Sequence, residues 1–74
     1  MHNIYSSQIE LFPEVIPATV EQPIASHQLG GVKFLGFCWP ARLYQPNSQI
    51  RLEPSQLVRV VGLDVDDALL VTPD

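Results

Sequence analysis

GVKFLGFCWPARLY, residues 31–44, carries the two-strand pattern from which the fold of this 74-residue chain can be predicted. Apolar and polar side chains alternate on both sides of Gly36, which is typical of two half-buried β-strands joined by a turn. Burying an indole removes about 150–250 Å² from water, so we expect Trp39 to plug the core; an exposed aromatic platform is the alternative. The face predicted to point inward carries Phe37, Trp39, Ala41 and Leu43.

Further short strands follow, separated by clusters of turn-forming residues. The predicted strands cover residues 50–52, 57–61 and 68–72, and 57–61 gives the strongest signal. Short strands at this spacing are typical of a sandwich or a barrel. Because the chain is too short to fill a sandwich, we predict an all-β fold, namely a small, partly open, five-stranded OB-fold-like barrel.

The N-terminal part of the chain differs from the rest, because Pro13 and Pro17 interrupt an apolar, β-prone sequence. We therefore predict an irregular or partly flexible N-terminal arm over residues 1–17 and a barrel domain over residues 18–74. Residues 6–12 are compatible with one helical turn that stops at Pro13. The arm is too apolar for a free tail, so it either packs on its own barrel or docks on another chain.

The charge balance bears on partners and compartment. Eight acidic residues against four basic ones give a net charge of −4, which makes a poor track for phosphates and disfavours nucleic acid and anionic lipid. No apolar run approaches the ~20 residues of a membrane span, and the N-terminus lacks a secretory pattern. A single cysteine rules out an intramolecular disulfide. We therefore expect a cytoplasmic protein that does not insert into a membrane.

No residue pattern in the chain predicts catalysis, a cofactor or a metal ion. Cys38 lacks a neighbouring base, and the two histidines lie far away in the first 29 residues. Asp64, Asp66 and Asp67 lack the spacing, the glycine and the terminal glutamate of an EF-hand, so we expect a solvated hairpin turn. We predict that the protein is not an enzyme.

Three groups of residues resemble the soluble C-terminal domain of the NfeD family. They are Gly31, Val32, Phe34, Gly36, Trp39 and Ala41; then Pro54, Val58, Val60 and Val61; then Leu69, Val71 and Pro73. The resemblance covers residues 29–73 and implies a five-stranded OB-fold barrel that associates with stomatin-like proteins and their partner proteases, with no known catalytic residues. This chain departs from the family in having no membrane spans. A serine also follows Pro54 where the family has glycine, which weakens the expectation of a positive φ there.

Together these features predict a non-enzymatic protein-interaction module that acts through a barrel face or edge. The resemblance implies a protein partner such as a stomatin-like membrane protein, and a cytoplasmic location that is peripheral to a membrane through that partner. We expect a monomer or a weak homo-oligomer. The alternative is an OB-fold that binds single-stranded nucleic acid. The candidate partner contacts are Phe12, Ile16, Arg42 and Tyr44.

Overall fold

The computed structural model describes residues 9–74, and this part of the chain contains β-strands and no helix. The predicted all-β class is therefore confirmed. The strands are β1 Ile9–Gln22, β2 Ile24–Ala25, β3 Gly30–Phe34, β4 Phe37–Leu43, β5 Arg51–Leu52, β6 Leu57–Asp64 and β7 Leu69–Pro73.

Five of these strands close into a barrel in the order β1-β3-β4-β7-β6. The pair β4–β7 is parallel, and the other four pairs are antiparallel. β2 and β5 form a separate two-stranded sheet. The predicted five-stranded barrel is confirmed, and it is closed rather than partly open.

The core follows from the alternation of valines along the strands. Val58 and Val60 of β6 are buried with Val20, Val32 and Val71, each at most 1% exposed. Ile24 and Leu52, from the small β2–β5 sheet, join the same cluster. Because β-branched side chains pack well on a pleated surface, these valines fill the narrow interior of the barrel.

The predicted N-terminal arm is ordered over most of its length. Residues 9–17 are the first half of β1 and pair with β6, so the boundary at residue 17 falls inside a strand. The helical turn predicted over residues 6–12 is wrong for 9–12, and residues 6–8 lie outside the described residues. Phe12 and Ile16 pack against the core, so for them the expectation of packing on the chain's own barrel is confirmed.

The position of Pro17 explains why the prolines do not break β1. The backbone N–H of Val20 donates to the carbonyl of Gln56, 2.9 Å away on the β6 side. The N–H and C=O groups of successive residues point to opposite sides of a strand. The backbone groups of Thr19 and Pro17 therefore point to β3. The β1–β3 pairing extends only as far as Thr19, and Pro17 therefore costs no ladder hydrogen bond.

In the turn after β5, a serine follows Pro54 in place of the glycine of the NfeD domain, and this weakened the expectation of a positive φ. The structure corrects that inference. Ser55 has a φ of 75°, so the positive φ is present although the residue is a serine. Its N–H donates to the carbonyl of Val20 at 2.8 Å, which ties the turn to β1. That bond holds the serine in a conformation that a glycine adopts at lower cost.

β1 contains a large bulge opposite β6. Leu11 pairs with Gly62 and Ile16 pairs with Val60, so residues 12–15 lie opposite the single residue Val61. Before the bulge, the two strands come unusually close at Gly62. A Cβ atom there would run into the backbone oxygen of Glu10. The absence of a side chain at Gly62 therefore allows the first residues of β1 to pair with β6.

We predict that Gly62→Ala destabilises the barrel by about 2 kcal/mol or more, because the new methyl group meets backbone that must move. Gly31→Ala is the matched control, since the nearest atoms to its added Cβ lie at 3.5 Å. Its effect should stay below about 1 kcal/mol. Urea denaturation followed by far-UV circular dichroism measures both changes, and equal losses in the two variants would contradict the argument.

Candidate functional site

An open apolar pocket lies where the bulge of β1 faces the end of β3. Its volume is about 420 Å³, within the usual range for ligand sites. The bulge directs Phe12 and Ile16 toward Phe34, which is consistent with the role of bulges in re-aiming side chains. We call it the mouth pocket; it is lined by Phe12, Pro13, Glu14, Ile16 and Phe34.

The first half of β4 extends the apolar surface beside this pocket. Phe37 lies opposite Phe34 and Trp39 opposite Val32, so both rings are on the same face as core residues. They are nevertheless 69% and 39% exposed, respectively. The indole Nε1–H donates to the carbonyl of Phe34 at 3.2 Å, which fixes the ring near the hairpin end.

The prediction that Trp39 plugs the core is therefore wrong, and the strand pairing gives the reason. β4 pairs with β7 only from Ala41 onward. Ala41 and Leu43 lie inside the closed part and are buried, whereas Phe37 and Trp39 have β3 alone beside them. The alternation predicted the correct face of the strand, but the barrel does not enclose its first half.

Pro40 sits at the unpaired edge of β4. The backbone groups of Thr19 point to β3, so those of its partner Lys33 point back to β1. Because the direction alternates along a strand, the backbone groups of Val32 point to β4 and bond with Trp39. The next pair, Gly31 with Pro40, then directs the proline nitrogen to the side where β7 has not yet begun. Pro40 therefore lies at a strand edge and costs no ladder hydrogen bond.

The tip of the β3–β4 hairpin carries an unusual residue. Leu35 and Gly36 both have positive φ, 52° and 87°, as a two-residue type I′ turn requires. Asn or Asp usually precedes glycine in such turns, because the left-handed conformation is costly for a bulky side chain. Leu35 is also 74% exposed, so its side chain contributes little to the core.

Leu35, Phe37 and Trp39, together with the mouth pocket, form what we call the mouth surface. At about 150–250 Å² per aromatic side chain, the exposed parts of Phe37, Trp39 and Leu35 amount to on the order of 300 Å² of apolar area. The largest apolar patch on a typical monomer is of about this size and is often functional. Sequence reasoning missed Leu35 as a functional candidate, although a large apolar residue before a turn glycine is the signal that could have found it.

The four predicted contact residues do not form one site. Phe12 and Ile16 both line the mouth pocket. Tyr44 is half-buried just after β4, at the strand's other end, where its N–H donates to the carbonyl of Val71 at 2.9 Å. Arg42 lies on the outer face of β4 opposite Leu70 of β7, and its guanidinium is held by carboxylates.

Arg42 clamps the hairpin between β6 and β7. Its Nη1 donates to Oδ2 of Asp64 at 2.7 Å and its Nη2 to Oδ2 of Asp66 at 2.9 Å. The backbone N–H of Ala68 and then Arg42 lower the pKa of Asp66, and the bond to Asp64 raises the pKa of Arg42. The predicted solvated hairpin turn is confirmed, because Asp66 and Asp67 are exposed there. Asp67 takes the left-handed conformation, with φ 68°.

The remaining reactive groups are poorly placed for chemistry. The Cys38 thiol is exposed, and its pKa is raised because the protonated form hydrogen-bonds to the Glu21 carboxylate. A raised pKa disfavours the thiolate that acts as a nucleophile. Within residues 9–74, no three His, Cys, Asp or Glu side chains come together to hold a metal ion.

Comparisons with protein-family models, with curated proteins and with solved structures find no match to this chain. The resemblance to the NfeD domain therefore stays a prediction. Over the described residues, no helix is long and apolar enough to cross a lipid bilayer. The geometry of the mouth surface is accordingly the main guide to function.

We predict that Trp39→Ala destabilises the barrel no more than Leu52→Ala, although it removes the larger side chain. Leu52 is 1% exposed, and truncating a buried leucine costs about 2–5 kcal/mol. Trp39→Ala should cost about 2–4 kcal/mol, because Trp39 is only 39% exposed and loses its partial burial and one hydrogen bond. Urea denaturation followed by circular dichroism gives both values, and a larger loss for Trp39→Ala would reinstate it as a core plug.

We predict that Arg42→Met lowers stability at pH 7 by about 1 kcal/mol, the upper end for partly exposed ion pairs, while keeping the alkyl chain over β7. The Ala68 N–H and then Arg42 lower the folded-state pKa of Asp66. The part that Arg42 supplies stabilises the fold while Asp66 is ionised, and it is lost as the pH falls through that pKa. The difference between wild type and variant should therefore shrink below about pH 4.

Arg51→Met is the control for this prediction, because the Arg51–Glu53 pair is about half-exposed on both sides. It should leave the melting temperature almost unchanged. A stability difference between wild type and Arg42→Met that stays constant from pH 7 to acid pH would mean that the carboxylates do not carry the effect.

Proposed function

We propose that this chain is a non-enzymatic protein-interaction module that binds a partner protein through the mouth surface. The observation that carries the proposal is Leu35, a large apolar side chain that is exposed at a turn position unfavourable for it. Residues that break a local folding rule without a gain in packing are found mostly at functional sites.

The energetics of the hairpin tip support this assignment. Holding an L-residue in the left-handed conformation costs roughly 1–2 kcal/mol, and an exposed leucine does not recover that cost by burial. The side chain stands at the end of the same hairpin as Phe37 and Trp39. A partner that covers all three would bury the apolar area that the folded chain leaves open.

The mouth pocket supplies the shape that complements this apolar rim. Phe12, Ile16 and Phe34 form its walls, and Phe12 and Ile16 are held by packing on the core. A site built on rigid strands is preorganised, so little ordering is needed when a side chain of the partner enters. An apolar anchor in such a pocket, surrounded by aromatic side chains, is the usual arrangement of an interaction hot spot.

The strand order and the parallel closing pair β4–β7 support an OB-like assignment for the barrel. They are consistent with the resemblance to the soluble NfeD domain. That resemblance makes a stomatin-like membrane protein one candidate partner. In this proposal the chain is cytoplasmic, becomes peripheral to a membrane only through that partner, and is a monomer or weak homo-oligomer.

Binding of single-stranded nucleic acid is the second candidate function, and the exposure of Phe37 and Trp39 favours it. Aromatic side chains on barrel strands can stack with bases. Such sites also need a basic groove, however, and Arg42, Arg51 and Arg59 are each paired with carboxylates. We therefore rank this function below protein interaction.

We predict that Leu35→Asn separates folding from function. Asparagine suits the turn, so the variant should be more stable than wild type by about 0.5–1 kcal/mol. It should nevertheless recover far fewer ligands when the immobilised protein is panned against a random peptide library. Leu57→Asn is the matched control, because Leu57 is 56% exposed at the other end of β6, and it should select peptides as wild type does.

The same proteins should be titrated with a fluorescent single-stranded oligonucleotide at low salt. Selection of the same peptides by wild type and Leu35→Asn would remove the mouth surface as the binding site. Micromolar oligonucleotide binding that falls steeply with salt and is lost in Trp39→Ala would place the nucleic-acid function first.

A further inference from the structure

The formal charge of the chain is unevenly distributed along the barrel. One end carries five of the eight acidic residues and two of the four basic residues, which gives it −3 of the net charge of −4. The remainder of the chain has three acidic and two basic residues and a net charge of −1. The charged residues at the acidic end are Glu10, Glu14, Asp64, Asp66, Asp67, Arg42 and Lys33, which pairs with Cys38 between Phe37 and Trp39.

This acidic end coincides with the mouth surface. Glu14 lines the mouth pocket itself. Glu10 precedes the bulge and pairs with Leu63, which packs against the core. β4 and β7 run parallel with Ala41 opposite Leu69, so the turn that precedes β7 lies at the same end as Phe37 and Trp39.

Basic side chains do not neutralise this end. Arg42 bridges two aspartates and so leaves an excess of carboxylates there. Arg51 and Arg59 pair with Glu53 and Asp74, away from the pocket. Lys33 alternates with Val32 and Phe34, so it points to the outer face of β3 and is exposed. The apolar pocket is therefore bordered by uncompensated negative charge.

We infer that the mouth surface takes a protein segment in which large apolar side chains are flanked by lysine or arginine. The inference rests on the proposed function and names the chemistry of the partner. The apolar anchors match the pocket and the aromatic rim, and the basic flanks match the acidic border. Electrostatic complementarity of this kind raises the association rate and selects among apolar partners.

The same charge distribution argues against three other occupants. A second copy of the chain, docked mouth to mouth, would bring two acidic ends together. Anionic lipid and nucleic acid would both meet repulsion from the carboxylates before they reached the aromatic rings. The exposed apolar surface and the negative charge of this end both favour a protein segment that is apolar and basic.

The test uses peptides selected by wild type and two charge-reversed proteins. Glu10→Lys/Glu14→Lys reverses the border of the pocket. Glu53→Lys/Asp74→Lys makes the same change in net charge, away from the pocket, and is the matched control. Trp39 is the chain's single tryptophan, so its fluorescence reports binding at the mouth surface without a label.

We expect the selected peptides to combine apolar residues with an excess of Lys and Arg over Asp and Glu. For a synthetic peptide of this kind, Glu10→Lys/Glu14→Lys should raise Kd by about tenfold or more, and the control pair by less than about threefold. The affinity for wild type should fall as sodium chloride is raised from 50 to 500 mM, because screening weakens the attraction.

This inference would be overturned if peptides that depend on Leu35 carried no excess of basic residues, or if they bound both charge-reversed proteins with the same affinity. The proposed function would then still stand. Peptides that do not depend on Leu35 would overturn the proposed function itself. Sedimentation at 50 mM salt should show a monomer; a dimer that Leu35→Asn dissociates would make a second copy the occupant.

Discussion

The parallel pairing of β4 with β7, which begins at Ala41, shapes the whole barrel. It closes the barrel, and it also fixes where the enclosed interior ends. Ala41 and Leu43 are buried because β7 lies beside them, while Phe37 and Trp39 on the same face stay open. The point at which β7 joins β4 therefore divides one apolar stripe into a buried core and an exposed surface.

A chain this small has little apolar area to leave unused, which makes the composition of its open end informative. Domains of this size bury only about 60% of their unfolded surface, and their stability is marginal. Leaving a leucine, a phenylalanine and part of a tryptophan exposed therefore reduces the stability that folding could reach. In the proposed function, the carboxylates around them keep the surface hydrated and make it selective.

Local patterns in the sequence predicted the barrel well, and the errors arise where a distant strand decides the outcome. Alternation predicted β3, β4, β6 and β7, because a period of two reports which side of a strand is apolar. It could not reveal that β7 stops short of Trp39. The prolines concealed β1, because only the pairing shows that Pro17 faces an unpaired side. The bond from Arg42 to Asp64 joins residues 22 positions apart, and no local pattern reports such a contact.

The unpaired edge of β4 has a consequence for solubility. Exposed strand edges beside large apolar side chains are templates on which further chains add, and this is how fibrils grow. Pro40 stands on that edge and offers no N–H to an incoming strand. Pro40 therefore lets large apolar side chains stay exposed while the neighbouring backbone resists endless stacking.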